Sequence, residues 1–303
     1  MSTVFEPEAL SWYEGSARQR IAALVDPGSF REAVGPEERE TSPHLALFDL
    51  PEQFDDGMIV GRATLDGARI LVAAQEGRFM GGAVGEVHGA KLVGLLRAAK
   101  ALGLDVLILF DTGGVRLQEA NAGETAIAEI MRALVEARCA GARVVGLVGG
   151  RSGCYGGGGL IAGCCSALVV TEQGRISVTG PEVIETNRGV EEFDARDRAL
   201  VWRTMGGKHR YLIGGADRFV DDSPGAFRNA VCEVLKGPGR LDLETLDAEQ
   251  ARLEGRLARF RTAGDAVAIW SSLGIDDAPA VPGLSTRAFR ALAVCRENAD
   301  DAR

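Results

Sequence analysis

The chain has 303 residues, of which 34 are basic and 43 acidic, for a formal charge of −9. It is 46% hydrophobic and 25% charged, the balance of a globular protein long enough to bury a sizeable core. The acidic balance argues against duplex DNA or an anionic membrane as a partner, and no run reaches the roughly eighteen apolar residues that span a bilayer.

Residues 1–57 read as an N-terminal arm laid over a core, with a helix around 16–25 and then Pro- and Glu-rich turns through Pro36 and Pro51. Residues 58–303 read as one continuous domain. Met58–Leu65 and 69–75 are β-rich runs joined by Asp66-Gly67, a two-residue hairpin signal. Glu86–Leu102 carries apolar residues at helical spacing. Asp105–Phe110 (DVLILF) is continuously apolar after its first residue, the pattern of a strand buried on both faces, and it stops at Asp111-Thr112-Gly113-Gly114. A second helix (124–140) and a second buried strand (143–148) follow, the latter stopping at Gly149-Gly150. A short helix over 157–165 leads into a strand at 167–171. Strand, glycine loop and helix in alternation predict an α/β fold with right-handed crossovers and mostly parallel strands. From about residue 223 the chain reads as a polar helical tail, with 246–261 its longest helix.

The six cysteines are Cys139, Cys154, Cys164, Cys165, Cys232 and Cys295, without a CxxC pair, and there are only three histidines. The expectation is a chain with no structural metal and no disulfide. The opening residues lack the charged and apolar regions of a signal peptide, so the protein is expected in the cytoplasm.

Two glycine loops carry the chemistry. In Asp111-Thr112-Gly113-Gly114-Val115-Arg116, the glycine pair sits at the C-terminal end of a buried strand, where α/β sheets bind ligands. Backbone N–H groups of Gly113 and Gly114 aimed at one point would make an oxyanion hole, and a plain tight turn is the alternative. The second loop, GGRSGCYGGGG, holds seven glycines in eleven residues and precedes a helix; free N–H groups at a helix N-terminus that favours negative charge are one reading, and close helix packing through small residues is the other. Gly157-x-Gly159-x-x-Ala162 lies too far past its strand, and lacks the following acidic residue, to be a dinucleotide fingerprint. Ser152 is not in a GxSxG elbow, and no Walker sequence occurs. Arg116 is open to two roles, an anion contact or a pair with Glu119. His88 reads as a surface or packing residue. Cys154 and Tyr155 read equally as proton donors or as filling.

Three segments, RFMGGAVGE at 78–86, DTGGVRLQEA at 111–120 and VTGPEVI at 178–184, resemble in order and spacing the acyl-CoA carboxyltransferase family. The likeness runs from about residue 57 to 220. It implies a crotonase-like fold, a superhelix of ββα units forming a single carboxyltransferase-type domain between the arm and the helical tail. The segments SWYEGSARQR at 11–20 and LVDPGSF at 24–30 resemble the β subunits of malonate decarboxylases. The four-cysteine zinc ribbon of the bacterial acetyl-CoA carboxylase β subunit has no counterpart here.

The resemblance implies decarboxylation of a malonyl thioester on an acyl carrier protein, through an oxyanion-stabilised enolate. No cofactor is expected on this chain, since a phosphoribosyl-dephospho-CoA prosthetic group arrives on the carrier. The implied partners are a γ subunit completing the active site, the acyl carrier protein, and an acyl-carrier transferase α subunit. Gly113, Gly114, Gly157 and Gly158 are the expected catalytic donors. Arg116, Gly81, Gly82 and Gly156 are the expected substrate contacts, with Gly156 able to replace Gly158. Two other readings stand beside this one: transfer of the carboxyl group to biotin, and a non-catalytic scaffold that binds the carrier.

Overall fold

The structure, a computed structural model, describes residues 10–47, 54–237 and 239–300. The turn expected at Pro51 lies outside the described residues. Helix α1 (Ala17–Leu24) starts at a capping box in which Ser16 and Gln19 satisfy each other's backbone N–H groups. β1 (Arg31–Ala33) and α2 (Pro43–Leu47) complete the first segment. β2 (Met58–Leu65) and β3 (Ala68–Gln75) form the expected hairpin, with Leu65 opposite Ala68. Asp66 and Gly67 both take positive φ, 52° and 76°, which gives a two-residue turn the twist its strands need.

The alternation then runs as the sequence predicts. α3 (Glu86–Leu102) ends at Gly103 in the left-handed region, β4 is Asp105–Phe110, α4 is Asn121–Cys139, and β5 is Val144–Val148. α4 starts three residues before the predicted boundary, after Ala120, which holds a positive φ of 47°. β6 (Cys154–Tyr155), α5 (Gly157–Gly163), β7 (Ala167–Val170) and β8 (Ile176–Ser177) follow. After them come α6 (Pro181–Arg188), α7 (Arg198–Met205), α8 (Gly207–Leu212), β9 (Arg218–Phe219) and α9 (Pro224–Val234). The chain closes with α10 (Leu243–Phe260), α11 (Ala266–Ser272) and α12 (Thr286–Asp300).

Seven strands form one sheet in the order β1-β2-β3-β4-β5-β7-β9. The first three are antiparallel and the rest parallel. β6 and β8 make a second, parallel pair, which a single bridge Thr112–Cys154 reaches from the loop after β4; another bridge, Val84–Val115, ties that loop to the segment before α3. This is the crotonase-like arrangement that the three motifs imply. β4 is buried on both faces, as its unbroken apolar run requires. Val106, Ile108 and Phe110 pack with Leu92, Leu96, Ile130 and Leu134 of α3 and α4. Leu107 and Leu109 pack with Ile21 and Leu24 of α1 and Phe227 and Val231 of α9.

The two ends of the chain are not what polarity suggests. Trp12, Ile21 and Leu24 are fully buried, so this part of the arm is core material. In the tail, Trp270 and Phe289 are buried too. Among the four tail helices, α9 to α12, α10 is the one that the expectation of a polar surface helix fits, with no buried residue.

Candidate active site

β4 delivers Asp111 into a dry junction. Its carboxylate, 3% exposed, accepts from Arg20 Nη1 at 2.7 Å and from the Ser152 N–H at 2.6 Å, and its own N–H donates to Gln75 Oε1 at 3.0 Å. One aspartate thus joins α1, the end of β3 and the loop after β5. A Cβ at Gly150 would lie 2.3 Å from the Asp111 carboxyl carbon, so the close approach requires glycine there.

Thr112 makes the next connection. Its N–H donates to the Gly153 carbonyl at 2.8 Å and its carbonyl accepts from the Tyr155 N–H at 3.0 Å, so the two glycine loops pair like strands. Its hydroxyl accepts the Gly114 N–H at 3.1 Å and donates to the Gly114 carbonyl at 3.3 Å. A Cβ on Gly158 would meet the Thr112 methyl at 2.3 Å, and one on Gly156 would lie 3.1 Å from the Gly114 Cα. The structure therefore brings together the two loops that the sequence singled out. Gly81 and Gly82 join them: the Gly81 carbonyl accepts the Gly113 N–H at 2.9 Å, and a Cβ on Gly82 would fall 1.8 Å from the Asp111 carbonyl oxygen.

The donors are distributed differently from the expectation. Gly113 and Gly114 do not present free N–H groups, because Gly81 and the Thr112 hydroxyl take them. Spacing alone could not reveal an acceptor lying in another segment or in a rotating hydroxyl. Gly157, Gly158 and Gly159 open α5, and none of the hydrogen bonds among the described residues uses their N–H groups. The first turn of a helix leaves such donors without an internal acceptor. The unengaged donors of this site are thus at Gly157, Gly158 and Gly159, beside Gly156.

Arg116 also takes one of its two roles. It is fully buried and bonds Asp55 at 2.5 and 3.1 Å, Glu119 at 3.0 Å and the Ala83 carbonyl at 2.8 Å. The pair with Glu119 is real, and the anion contact is corrected, since no part of the guanidinium reaches solvent. Burial opposes its charge, but the bonds to Asp55 and Glu119 outweigh that and raise its pKa. Burial likewise opposes ionisation of Asp55, yet Arg116 holds it below the usual carboxylate range. Sequence carried no signal for Asp55.

His88 is a packing residue, fully buried beside this pair. Burial first, and Arg116 second, push its pKa down to about 3. The Gln75 carbonyl oxygen is engaged by Asp111, so the amide nitrogen donates to His88 Nε2 at 3.2 Å. That hydrogen-bond assignment places the neutral imidazole's proton on Nδ1, which has no partner among the described residues. Cys154 and Tyr155 are 0% and 6% exposed, and burial raises both their pKa values, in keeping with the packing alternative. Cys139, Cys154, Cys164, Cys165 and Cys232 are free thiols; the Cys295 side chain lies outside the described residues. Among the described residues no group of His, Cys, Asp or Glu is placed to hold a metal ion, and no helix is long and apolar enough to cross a membrane. The segments around the loops expose apolar side chains: Leu117 (81%), Leu160 (43%), Val178 (58%) and Val183 (52%).

Comparison with known proteins places this geometry among carboxyl transfer proteins. The Carboxyl transferase domain family matches residues 14–213. The malonyl-S-ACP:biotin-protein carboxyltransferase MADC of Malonomonas rubra is 42% identical over 243 residues, 75% of this chain and 76% of that one. The propionyl-CoA carboxylase beta chain of Saccharopolyspora erythraea is 30% identical over 67% of this chain, which spans 36% of that longer protein. Among solved structures, a Pseudomonas malonate decarboxylase hetero-tetramer in complex with malonate contains a chain that is 39% identical with a TM-score of 0.79. That match covers 87% of this chain and 97% of the other. A Pseudomonas malonate decarboxylase hetero-dimer gives 37% identity and a TM-score of 0.65, over 81% and 96% of the two chains.

Proposed function

This chain belongs to the carboxyl transferase family as a malonate-decarboxylase-like carboxyltransferase subunit, and from that premise we propose that it decarboxylates malonyl-S-acyl-carrier-protein to the acetyl thioester. The observation that carries the reading is the pairing of the two glycine loops around unengaged N–H groups at Gly157 and Gly158. When the malonyl carboxylate leaves as carbon dioxide, the electron pair of the breaking C–C bond moves into the thioester. Negative charge then gathers on the thioester oxygen. No base is needed to start this step. It requires donors already aimed at the oxygen, and removing one such donor typically costs about 3 kcal/mol in the barrier. The enolate carbon afterwards takes a proton to give the acetyl group.

The exposed apolar residues beside the loops, Leu117, Leu160, Val178 and Val183, suit a second protein wall that excludes water from the enolate. A γ subunit is the proposed wall. The carrier brings its phosphoribosyl-dephospho-CoA arm as part of the substrate, the α subunit is the acyl-carrier transferase that charges it, and this chain holds no cofactor of its own. A second reading has a specific support: the 42%-identical relative is a biotin-protein carboxyltransferase, and the same enolate chemistry can run with the carboxyl group handed to biotin.

Purified chain, γ subunit, malonyl-loaded carrier and a biotinylated carrier protein separate the readings. Acetyl thioester and carbon dioxide formed equally with and without avidin support decarboxylation without biotin. Loss of turnover on adding avidin selects the biotin route. A folded complex that converts no thioester leaves only the scaffold role.

A further inference from the structure

The last long helix stands apart from everything above. α10 spans 18 residues, about 27 Å, and none of them is buried. Leu243, Leu246, Leu253 and Leu257 are 79%, 47%, 37% and 66% exposed. With Gln250 and Phe260 they recur at alternating steps of three and four, the a and d positions of a coiled-coil seam with one polar break. A cleft of about 1300 Å³ separates this helix from the body. Its far wall comes from Arg138 at the end of α4, the end of α5 and the start of β7, and residues 211–218. Among the described residues, two hydrogen bonds span the cleft from α10: Arg252 to the Gly214 carbonyl at 2.8 Å, and Arg256 to the Ile213 carbonyl at 3.5 Å.

The charge lining the cleft is one-sided. Arg138, Arg218, Arg252, Arg256 and Arg259 face it against Asp217 and Glu249. Glu249 is held by Arg252 at 2.6 Å, and Asp217 by the Leu168 N–H at 2.7 Å. Arg138, Arg256 and Arg259 have no carboxylate within 4.0 Å among the described residues, and Arg138 Nε is buried without a partner. The crowding registers on the groups themselves. Burial and then Arg252 lower the pKa of Arg256, while burial and then Arg256 bring Arg210 down to about 10.

We infer that this cleft seats an acidic amphipathic helix of the stably associated second subunit. Apolar residues of that helix meet Leu246, Leu253 and Phe260, and its carboxylates meet Arg138, Arg256 and Arg259. The inference rests on the heteromeric reading above. A small anion would leave the leucines uncovered. A second copy of α10 fits poorly: pairing in parallel sets Glu249 against Glu254, and the antiparallel register that stacks every leucine sets Asp247 against Glu254. A carrier protein must come and go, whereas so apolar a stripe belongs to a lasting contact.

The test uses the complex of this chain with its second subunit, carrying Leu253→benzoylphenylalanine at the cleft wall, irradiated and mapped by mass spectrometry. Crosslinks to an acidic helix of the second subunit are expected. Crosslinks to another copy of this chain, to the carrier, or only within this chain overturn the inference. Charge reversal of Arg256→Glu with Arg259→Glu should weaken the complex at least tenfold while Arg256→Lys with Arg259→Lys retains it, and equal affinity for both pairs also overturns it. Turnover of malonyl thioester is measured on the same complexes. A crosslinked but inactive complex ends the proposed function and keeps this inference, and an active complex without the crosslink does the reverse.

Discussion

Arginine is used in two opposite ways in this molecule. Beneath the glycine loops, Arg20 and Arg116 are 1% and 0% exposed, and each has a carboxylate within 2.7 Å. Along the cleft by α10, Arg138, Arg256 and Arg259 have none within 4.0 Å among the described residues. Burial opposes charge in both regions, but at Arg116 the carboxylates outweigh it and raise the pKa, and at Arg256 a neighbouring arginine lowers it further. The difference teaches which region is complete within one chain. The first is finished machinery that holds a backbone in place. The second has no counter-charge among the described residues.

The sharpest way to break the contrast is to delete one arginine from each region and compare urea unfolding. Arg116→Ala strands Asp55 and Glu119 in a dry site, and is expected to cost about 3–5 kcal/mol. Asp55→Ala should fall in the same range. A loss below about 1 kcal/mol for both would show that the buried pair contributes specificity rather than stability.

The next effect is in acid. His88 near the finished region and His209 in α8 both have pKa values near 3, with burial as the leading cause. The unfolded imidazole protonates near 6.5, so between 6.5 and 3 the unfolded state binds more protons and stability falls as the pH drops. Each histidine contributes about 3 kcal/mol of that loss by pH 4. Stability should stay level with respect to these groups above pH 7. His88→Gln should remove about half of the histidine-linked slope, measured as midpoint against pH, and an unchanged slope would show that His88 is not held neutral.

Smaller again is the Thr112 hydroxyl, which bonds both backbone groups of Gly114. Thr112→Val leaves the shape but strands the Gly114 N–H, a cost of roughly 1–2 kcal/mol. If the paired loops act on the thioester, kcat should fall about tenfold with KM little changed, and Thr112→Ser should restore it. Equal activity in Val and Ser variants would sever the hydroxyl from the chemistry.

The smallest expected effect completes the comparison. Arg256→Ala and Arg259→Ala remove charges that have no carboxylate partner among the described residues, so each should change the unfolding free energy by no more than about 0.5 kcal/mol. A loss above about 2 kcal/mol would mean that the cleft is already satisfied internally.

What sequence alone determined was everything that periodicity and local backbone chemistry encode. An unbroken DVLILF run has no solvent face to offer, so β4 could only be central. Asp-Gly between alternating runs specified the β2–β3 hairpin. Gly-Gly at a strand end and a glycine-rich approach to α5 marked the loops that meet in space. Tertiary structure alone decided who bonds whom there. Asp55 and Arg116 are 61 positions apart, and Arg20 and Asp111 are 91 apart. No local pattern joins such pairs, because their approach is a by-product of how the strands between them stack. The same holds for the donors. A glycine announces an accessible N–H, but whether that N–H stays available depends on acceptors brought by other segments. Gly113 donates its N–H to the Gly81 carbonyl and Gly114 to the Thr112 hydroxyl, while the N–H groups of Gly157 and Gly158 stay unengaged at the open end of a helix.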